Sequence, residues 1–131
     1  MNKTKTCVAI VDDDESFARA LDRLFRASGF EVQIYLSGEA FLVAKALPKP
    51  DCLVLDIQLG GMSGLDLLRE LRKLGILAPA IFVTAHDAPE VRAEAEQFGC
   101  IAYLLKPVGS KLLMDAVPKA MHPGGTSSGA S

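Results

Sequence analysis

The chain has 131 residues, half of them hydrophobic, and a formal charge of -2. That is enough for one domain with a real core and too little for two ordinary ones, and the weakly negative charge argues against direct nucleic-acid binding. No apolar stretch approaches the length of a bilayer span and no secretion signal opens the sequence, so a soluble, cytoplasmic protein without membrane contact is expected.

In chain order, Cys7-Val8-Ala9-Ile10-Val11 is continuously apolar, as suits a strand covered on both faces of a parallel sheet. It runs into Asp12-Asp13-Asp14-Glu15, after which Phe17, Leu21, Leu24, Phe25 and Ser28 share one helix face, stopped by Gly29. Residues 31–35 alternate, which predicts an edge strand, and Ser37 is placed to cap a second helix. Residues 52–56 predict the third strand, with Asp56 at its end. Ser63-Gly64-Leu65-Asp66 has the form of a capping box, so the third helix starts at Gly64, carries Leu67, Leu68, Leu71 and Leu74 on one face, and stops at Gly75.

Residues 80–84 predict a fourth strand ending in Thr84, and Pro89 suits the first turn of a helix marked by Val91, Ala95 and Phe98 and closed by Gly99. Residues 101–105 predict the fifth strand, which leads to Lys106-Pro107. A last helix over about 109–121 contains Pro118 and is expected to be short or kinked. The Gly/Ser-rich residues 122–131 read as a disordered tail or linker, leaving 1–121 as the domain. Cys7, Cys52 and Cys100 lack metal-ligand spacing and each opens an apolar run; buried reduced thiols are expected, with a Cys7 to Cys52 disulfide as the alternative.

Five strand–helix pairs predict a doubly wound α/β fold, a (βα)5 flavodoxin-like three-layer sandwich with parallel sheet order 2-1-3-4-5. Ligands of such sheets collect at the carboxyl ends of the strands, where this chain places Asp12, Asp13, Asp56, Thr84 and Lys106. Two carboxylates ~5 Å apart at an effective dielectric of ~20 repel by roughly 3 kcal/mol, so the cluster needs a cation. Lys106 supplies one charge and a hard divalent ion two more: Mg2+ first, Mn2+ next, Ca2+ less suited, and zinc unsuited with His86 the one histidine nearby. Singly, each residue has an ordinary explanation: an acidic run complements a helix dipole, a threonine ends a strand, a lysine is solvated. Jointly, four strand ends carrying such side chains point to a site.

As an ordered set, Val8-Ala9-Ile10-Val11-Asp12-Asp13-Asp14, Leu53-Val54-Leu55-Asp56, Met62-Ser63-Gly64-Leu65, Phe82-Val83-Thr84-Ala85 and Tyr103-Leu104-Leu105-Lys106-Pro107 resemble the response-regulator receiver family of two-component signal transduction, over about 7–121. The resemblance implies that Asp56 is the phosphoacceptor and that Asp12, Asp13, Asp56 and the Gln58 backbone carbonyl hold Mg2+. It implies that Thr84 and Lys106 meet the phosphoryl group, to which the small Ala85 leaves access. Movement of Thr84 would let Tyr103 turn inward and remodel the surface of the fourth helix, fifth strand and fifth helix; a fixed core Tyr103 is the other reading. Gln58 and His86 fall where the family tunes loss of the phosphoryl group, although His86 also fits a plain surface role.

The implied partner is a sensor histidine kinase or a histidine phosphotransfer protein, and the implied role is regulatory rather than that of a multiple-turnover enzyme. Phosphorylation-dependent homodimerisation is common in the family, and the motif wording is most similar to receivers in front of helix-turn-helix transcription factors. Two departures stand out. Gly60-Gly61 replaces a common proline and predicts a looser loop with weaker metal binding, and Pro118 puts in doubt an output surface built on a long last helix. Among other functions, Asp12-x-Asp14 superficially matches a haloacid-dehalogenase-like phosphatase, but Glu15-Ser16 departs from it and no length remains for a cap. A flavodoxin-like flavin carrier shares the topology, but its phosphate would be repelled by Asp12-Asp13-Asp14. A degenerate receiver acting by contact alone is at odds with the presence of Asp56, Thr84 and Lys106.

Overall fold

The computed structural model describes residues 6–44 and 49–121; the expected tail over 122–131 lies outside them. Strands and helices alternate as β1 (Cys7–Val11), α1 (Glu15–Ala27), β2 (Glu31–Tyr35), α2 (Gly38–Ala44), β3 (Cys52–Leu55), α3 (Gly64–Lys73), β4 (Ala80–Thr84), α4 (Pro89–Gln97), β5 (Cys100–Leu105) and α5 (Ser110–Met121). The strands form one parallel sheet in the expected order, β2-β1-β3-β4-β5.

Side chains alternate across the pleat, and this divides the core into two layers. Val8, Ile10, Val54, Ile81 and Val83 pack with Ala18, Leu21 and Phe25 of α1 and Leu113, Ala116 and Val117 of α5. Ala9, Val11, Leu53, Leu55 and Phe82 pack on the opposite face with Phe41 of α2, Leu67, Leu68 and Leu71 of α3, and Ala95 of α4. Because both faces are covered, β1, β3 and β4 are buried at every position. Each such Leu, Ile or Phe contributes ~1.5–3 kcal/mol, which makes the two helical layers the main support of the sheet.

Helix ends follow local chemistry. The Asp14 carboxylate accepts the Phe17 N–H at 3.1 Å, the Ser37 hydroxyl accepts the Ala40 N–H at 3.0 Å, and Ser63 with Asp66 closes the capping box of α3. Gly29, Gly75 and Gly99 adopt φ of 95°, 81° and 91°, the conformation expected of helix stops.

Several expectations shift. β3 ends at Leu55, although the Asp56 N–H still donates to the Val11 carbonyl at 3.0 Å, so Asp56 starts the loop rather than closing the strand. β5 begins one residue early, at Cys100, and at the edge position that the expected order gives it Ile101 is 40% and Leu105 44% exposed despite their apolar run. Leu74 is the C-cap residue of α3 and is exposed, not part of its inner face. α5 runs 12 residues from Ser110 to Met121, the span expected for it, with Leu113, Ala116 and Val117 buried ahead of Pro118. Cys7, Cys52 and Cys100 are buried thiols, not disulfide-bonded. Among the described residues no helix is long and apolar enough to cross a membrane.

Candidate functional site

β1 and β3 are neighbours and end level with each other, which brings the residues just past them to one rim of the sheet. There Asp12, Asp13 and Asp56 each offer a carboxylate oxygen, all within 4.8 Å of one another. Asp12 and Asp56 are buried, 2% and 6% exposed, whereas Asp13 faces solvent. From the end of β5, Lys106 reaches across, its Nζ donating at 3.0 Å to Asp12 Oδ2 and at 3.0 Å to Asp56 Oδ2. A charge shared between two buried carboxylates offsets the repulsion that gathering them creates.

Backbone donors occupy the other carboxylate oxygens. Asp14 N–H donates to Asp12 Oδ1 at 2.9 Å, and Gln58 N–H donates to Asp56 Oδ1 at 3.0 Å. Burial pushes the Asp12 carboxyl above the usual carboxylate range, against the pull of the Asp14 N–H and Lys106. Burial also disfavours charge on Lys106, but Asp12 and Asp56 outweigh it, and the ammonium holds its proton more tightly than an ordinary lysine. The two directions are compatible, because Asp12 faces a second carboxylate, Asp56, as well as the cation.

The donor set fits a hard divalent ion. Two oxygens opposite each other on one Mg2+ lie about 4.2 Å apart, close to the span of the three carboxylates. Beside Asp13 a hollow of about 460 Å³ opens, lined by Ile57, Gln58, Leu59, Gly60 and Ser63, which gives the exposed side of the cluster access to solutes.

Other singled-out residues surround this centre. Thr84 is buried at the end of β4, and its carbonyl accepts the Lys106 N–H at 2.7 Å, which ties the two strand ends together. Ala85 and His86 follow in an exposed loop. Among the described residues no hydrogen bond joins Thr84, Ala85 or His86 to Asp56. Tyr103 is buried 6.2 Å from the Phe82 ring, and its hydroxyl donates to the His86 carbonyl at 3.2 Å while the Arg92 guanidinium lies over its face.

Three contributors have roles that a one-dimensional reading does not reveal. Phe17 places its ring centroid 4.3 Å from Lys106 Nζ, a cation–π contact; the sequence shows it only as a helix-face residue. Gly64 opens α3 against the backbone of Asp56: a Cβ there would stand 2.0 Å from the Asp56 carbonyl oxygen. Glu39, in the first turn of α2, accepts the Met62 N–H at 3.0 Å and so ties down the Gly60-Gly61 loop expected to be loose.

Comparison with known proteins agrees with this architecture. Residues 8–118 match the response regulator receiver domain. Nodulation protein W of Bradyrhizobium diazoefficiens is 40% identical over 117 residues, covering 89% of this chain and 52% of its own length. Response regulator protein TmoT of Ectopseudomonas mendocina is 35% identical over 121 residues, covering 92% and 55%. Transcriptional regulatory protein FixJ of Rhizobium meliloti is 33% identical over 117 residues, covering 89% and 57%. The chain thus spans about half the length of these curated relatives. Among solved structures, a CheY-like receiver domain protein from Methanospirillum hungatei superposes with a TM-score of 0.83 at 26% identity, covering 89% of this chain and 94% of that one. With the strand order, the acidic rim and the bridging lysine already in place, a match over this much of the sequence leaves one conclusion: the chain belongs to the response regulator receiver domain family, the regulatory module of two-component signalling.

Proposed function

We propose that this chain accepts a phosphoryl group on Asp56 and uses the resulting change to switch its α4-β5-α5 surface. The observation that carries the reading is the Lys106 ammonium held at 3.0 Å from both Asp12 and Asp56. It fixes the Asp56 carboxylate, and each Asp56 oxygen, with one donor apiece, keeps a lone pair free for phosphorus or a cation. An Asp56 oxygen attacks the phosphorus of a phosphohistidine on a sensor histidine kinase or histidine phosphotransfer protein, the P–N bond breaks, and the imidazole leaves. The chain contributes position and charge: Lys106 faces the peripheral oxygens of the phosphoryl group, and Thr84 offers a hydroxyl donor.

Asp12, Asp13, Asp56 and the Gln58 carbonyl would hold Mg2+, or Mn2+ in its place. When bound, that ion supplies charge neutralisation at the transferring group. Ala85 leaves the approach open, while Gln58 and His86 stand at the solvent side, where they govern the water that removes the phosphoryl group. Tyr103 is buried with its hydroxyl on the His86 carbonyl, so movement of Thr84 toward the new group would act by holding Tyr103 in this inward position rather than by bringing it there.

The domain is assigned to 1–121, in the cytoplasm, as a regulatory phosphoacceptor rather than a multiple-turnover enzyme. By analogy with FixJ, a transcriptional regulatory protein, its output is transcriptional through a part outside the described residues, with a phosphorylation-dependent homodimer as the active form. Incubation with acetyl phosphate, with and without Mg2+, followed by intact mass measurement of wild type and Asp56→Asn tests the reading. A metal-dependent gain of one phosphoryl group, absent in the variant, is expected. No gain in wild type, the same gain in Asp56→Asn, or steady hydrolysis of many equivalents overturns it.

A further inference from the structure

The loop between β3 and α3 carries Gln58, whose backbone carbonyl is a metal ligand on the phosphoacceptor reading, and the role inferred here for Glu39 rests on that reading. Two successive glycines, Gly60 and Gly61, leave the backbone of this loop without stiffness of its own. It is held from outside. Glu39 reaches from the first turn of α2, and its Oε2 accepts the Met62 N–H at 3.0 Å. A Cβ on Gly61, whose φ is +82°, would lie 2.7 Å from that same oxygen. In the reverse direction, a Cβ on Gly38 would lie 2.8 Å from Met62 Cγ and 2.9 Å from its Sδ. One glycine admits the Glu39 carboxylate and the other admits the Met62 side chain, an interlocking fit in both directions.

We propose that Glu39 is a positioning residue: by clamping Met62 it fixes the loop from Gln58 to the α3 cap Ser63, so that α2 sets the metal-facing side of the site. The carboxylate touches none of the reacting groups and acts only through the backbone it holds. A bond to a backbone that in turn presents a metal ligand is an outer-shell interaction, and loss of such a partner weakens metal binding by about tenfold or more.

Glu39→Ala and Glu39→Gln, each in the full chain, separate the possibilities. Mg2+ affinity is read by isothermal titration calorimetry and the Met62 amide by hydrogen exchange. Glu39→Ala is expected to weaken Mg2+ binding about tenfold and to speed Met62 exchange by a similar factor. Glu39→Gln, which keeps an acceptor oxygen without the charge, is expected to retain most of both. The proposal is overturned if Glu39→Ala leaves both readouts unchanged, or if Glu39→Gln loses as much as alanine, since long-range charge would then account for the effect. A wild-type chain that binds no Mg2+ overturns the phosphoacceptor reading and the metal part of this proposal together; Met62 exchange decides the clamp separately.

Discussion

Replacing Gly64 by alanine sets two forces of opposite sign against each other. Within a helix alanine is favoured over glycine by up to about 1 kcal/mol, so propensity alone predicts a more stable protein. The packing predicts the reverse. The new Cβ would stand 2.0 Å from the Asp56 carbonyl oxygen, 2.9 Å from its carbon and 3.1 Å from Phe82 Cε1. Carbon–oxygen contacts settle at about 3.3 Å, so the start of α3 or the Asp56 peptide must retreat by about 1 Å, and backbone yields less readily than a side-chain tip. Overpacking of this kind costs about 1–3 kcal/mol, and the Gly64 N–H bond to the Ile57 carbonyl, worth about 1 kcal/mol, is strained with it. The net expectation is about 2 kcal/mol of lost stability, a fall in Tm on the order of 5–10 °C. Because the displaced peptide is that of Asp56, the initial rate of phosphorylation by acetyl phosphate at saturating Mg2+ should also fall, by about 10²-fold for an ångström of misplacement. A Gly64→Ala protein that melts at or above the wild-type temperature and is phosphorylated at the wild-type rate refutes the reasoning.

Lys106→Met leaves the Asp12 and Asp56 carboxylates facing each other without their shared cation, and in metal-free urea denaturation it should cost about 3 kcal/mol; saturating Mg2+ should stabilise the variant more than wild type, and equal stability without metal would count against the bridge. Burial pushes the Cys52 thiol up to about 12 and Cys100 to about 11, so at pH 8 iodoacetamide should spare both in the folded chain while labelling them in urea, as followed by intact mass. The Met62 N–H holds the Glu39 carboxyl below the ordinary glutamate range. Its contribution is therefore complete above about pH 4.3, the unperturbed value, and is lost as pH falls through the depressed one. The Met62 amide resonance should follow that titration, and a midpoint at or above the unperturbed value would contradict the bond.

The parallel sheet is legible because β1, β3 and β4 are apolar along their lengths up to the terminal Thr84 of β4, a pattern that follows from helices on both faces. At β5, an edge strand in the expected order, the same apolar pattern overstates burial. Its run looks as continuous as theirs, yet it lies at an edge, and no local feature distinguishes an apolar residue beneath a helix from one such as Ile101 that faces out. Asp12, Asp13, Asp56 and Lys106 could be read as a cluster because strand ends are fixed by topology once the order is known. Phe17, Glu39 and Gly64 could not be read so, because their roles rest on where a ring, a carboxylate and a missing methyl meet segments distant in sequence. Glycine at the start of a helix looks like an indifferent choice until the neighbouring carbonyl is seen. The span of the last helix is legible despite Pro118, since three buried residues anchor α5 ahead of the proline.

Lys106 joins Asp12 and Asp56 across 94 and 50 positions of sequence. Both aspartates therefore precede their bridging ammonium in the chain, and the Lys106 charge reaches them only through the placement of β5. A chain truncated before the end of β5 would leave the Asp12 and Asp56 carboxylates without the ammonium that bridges them.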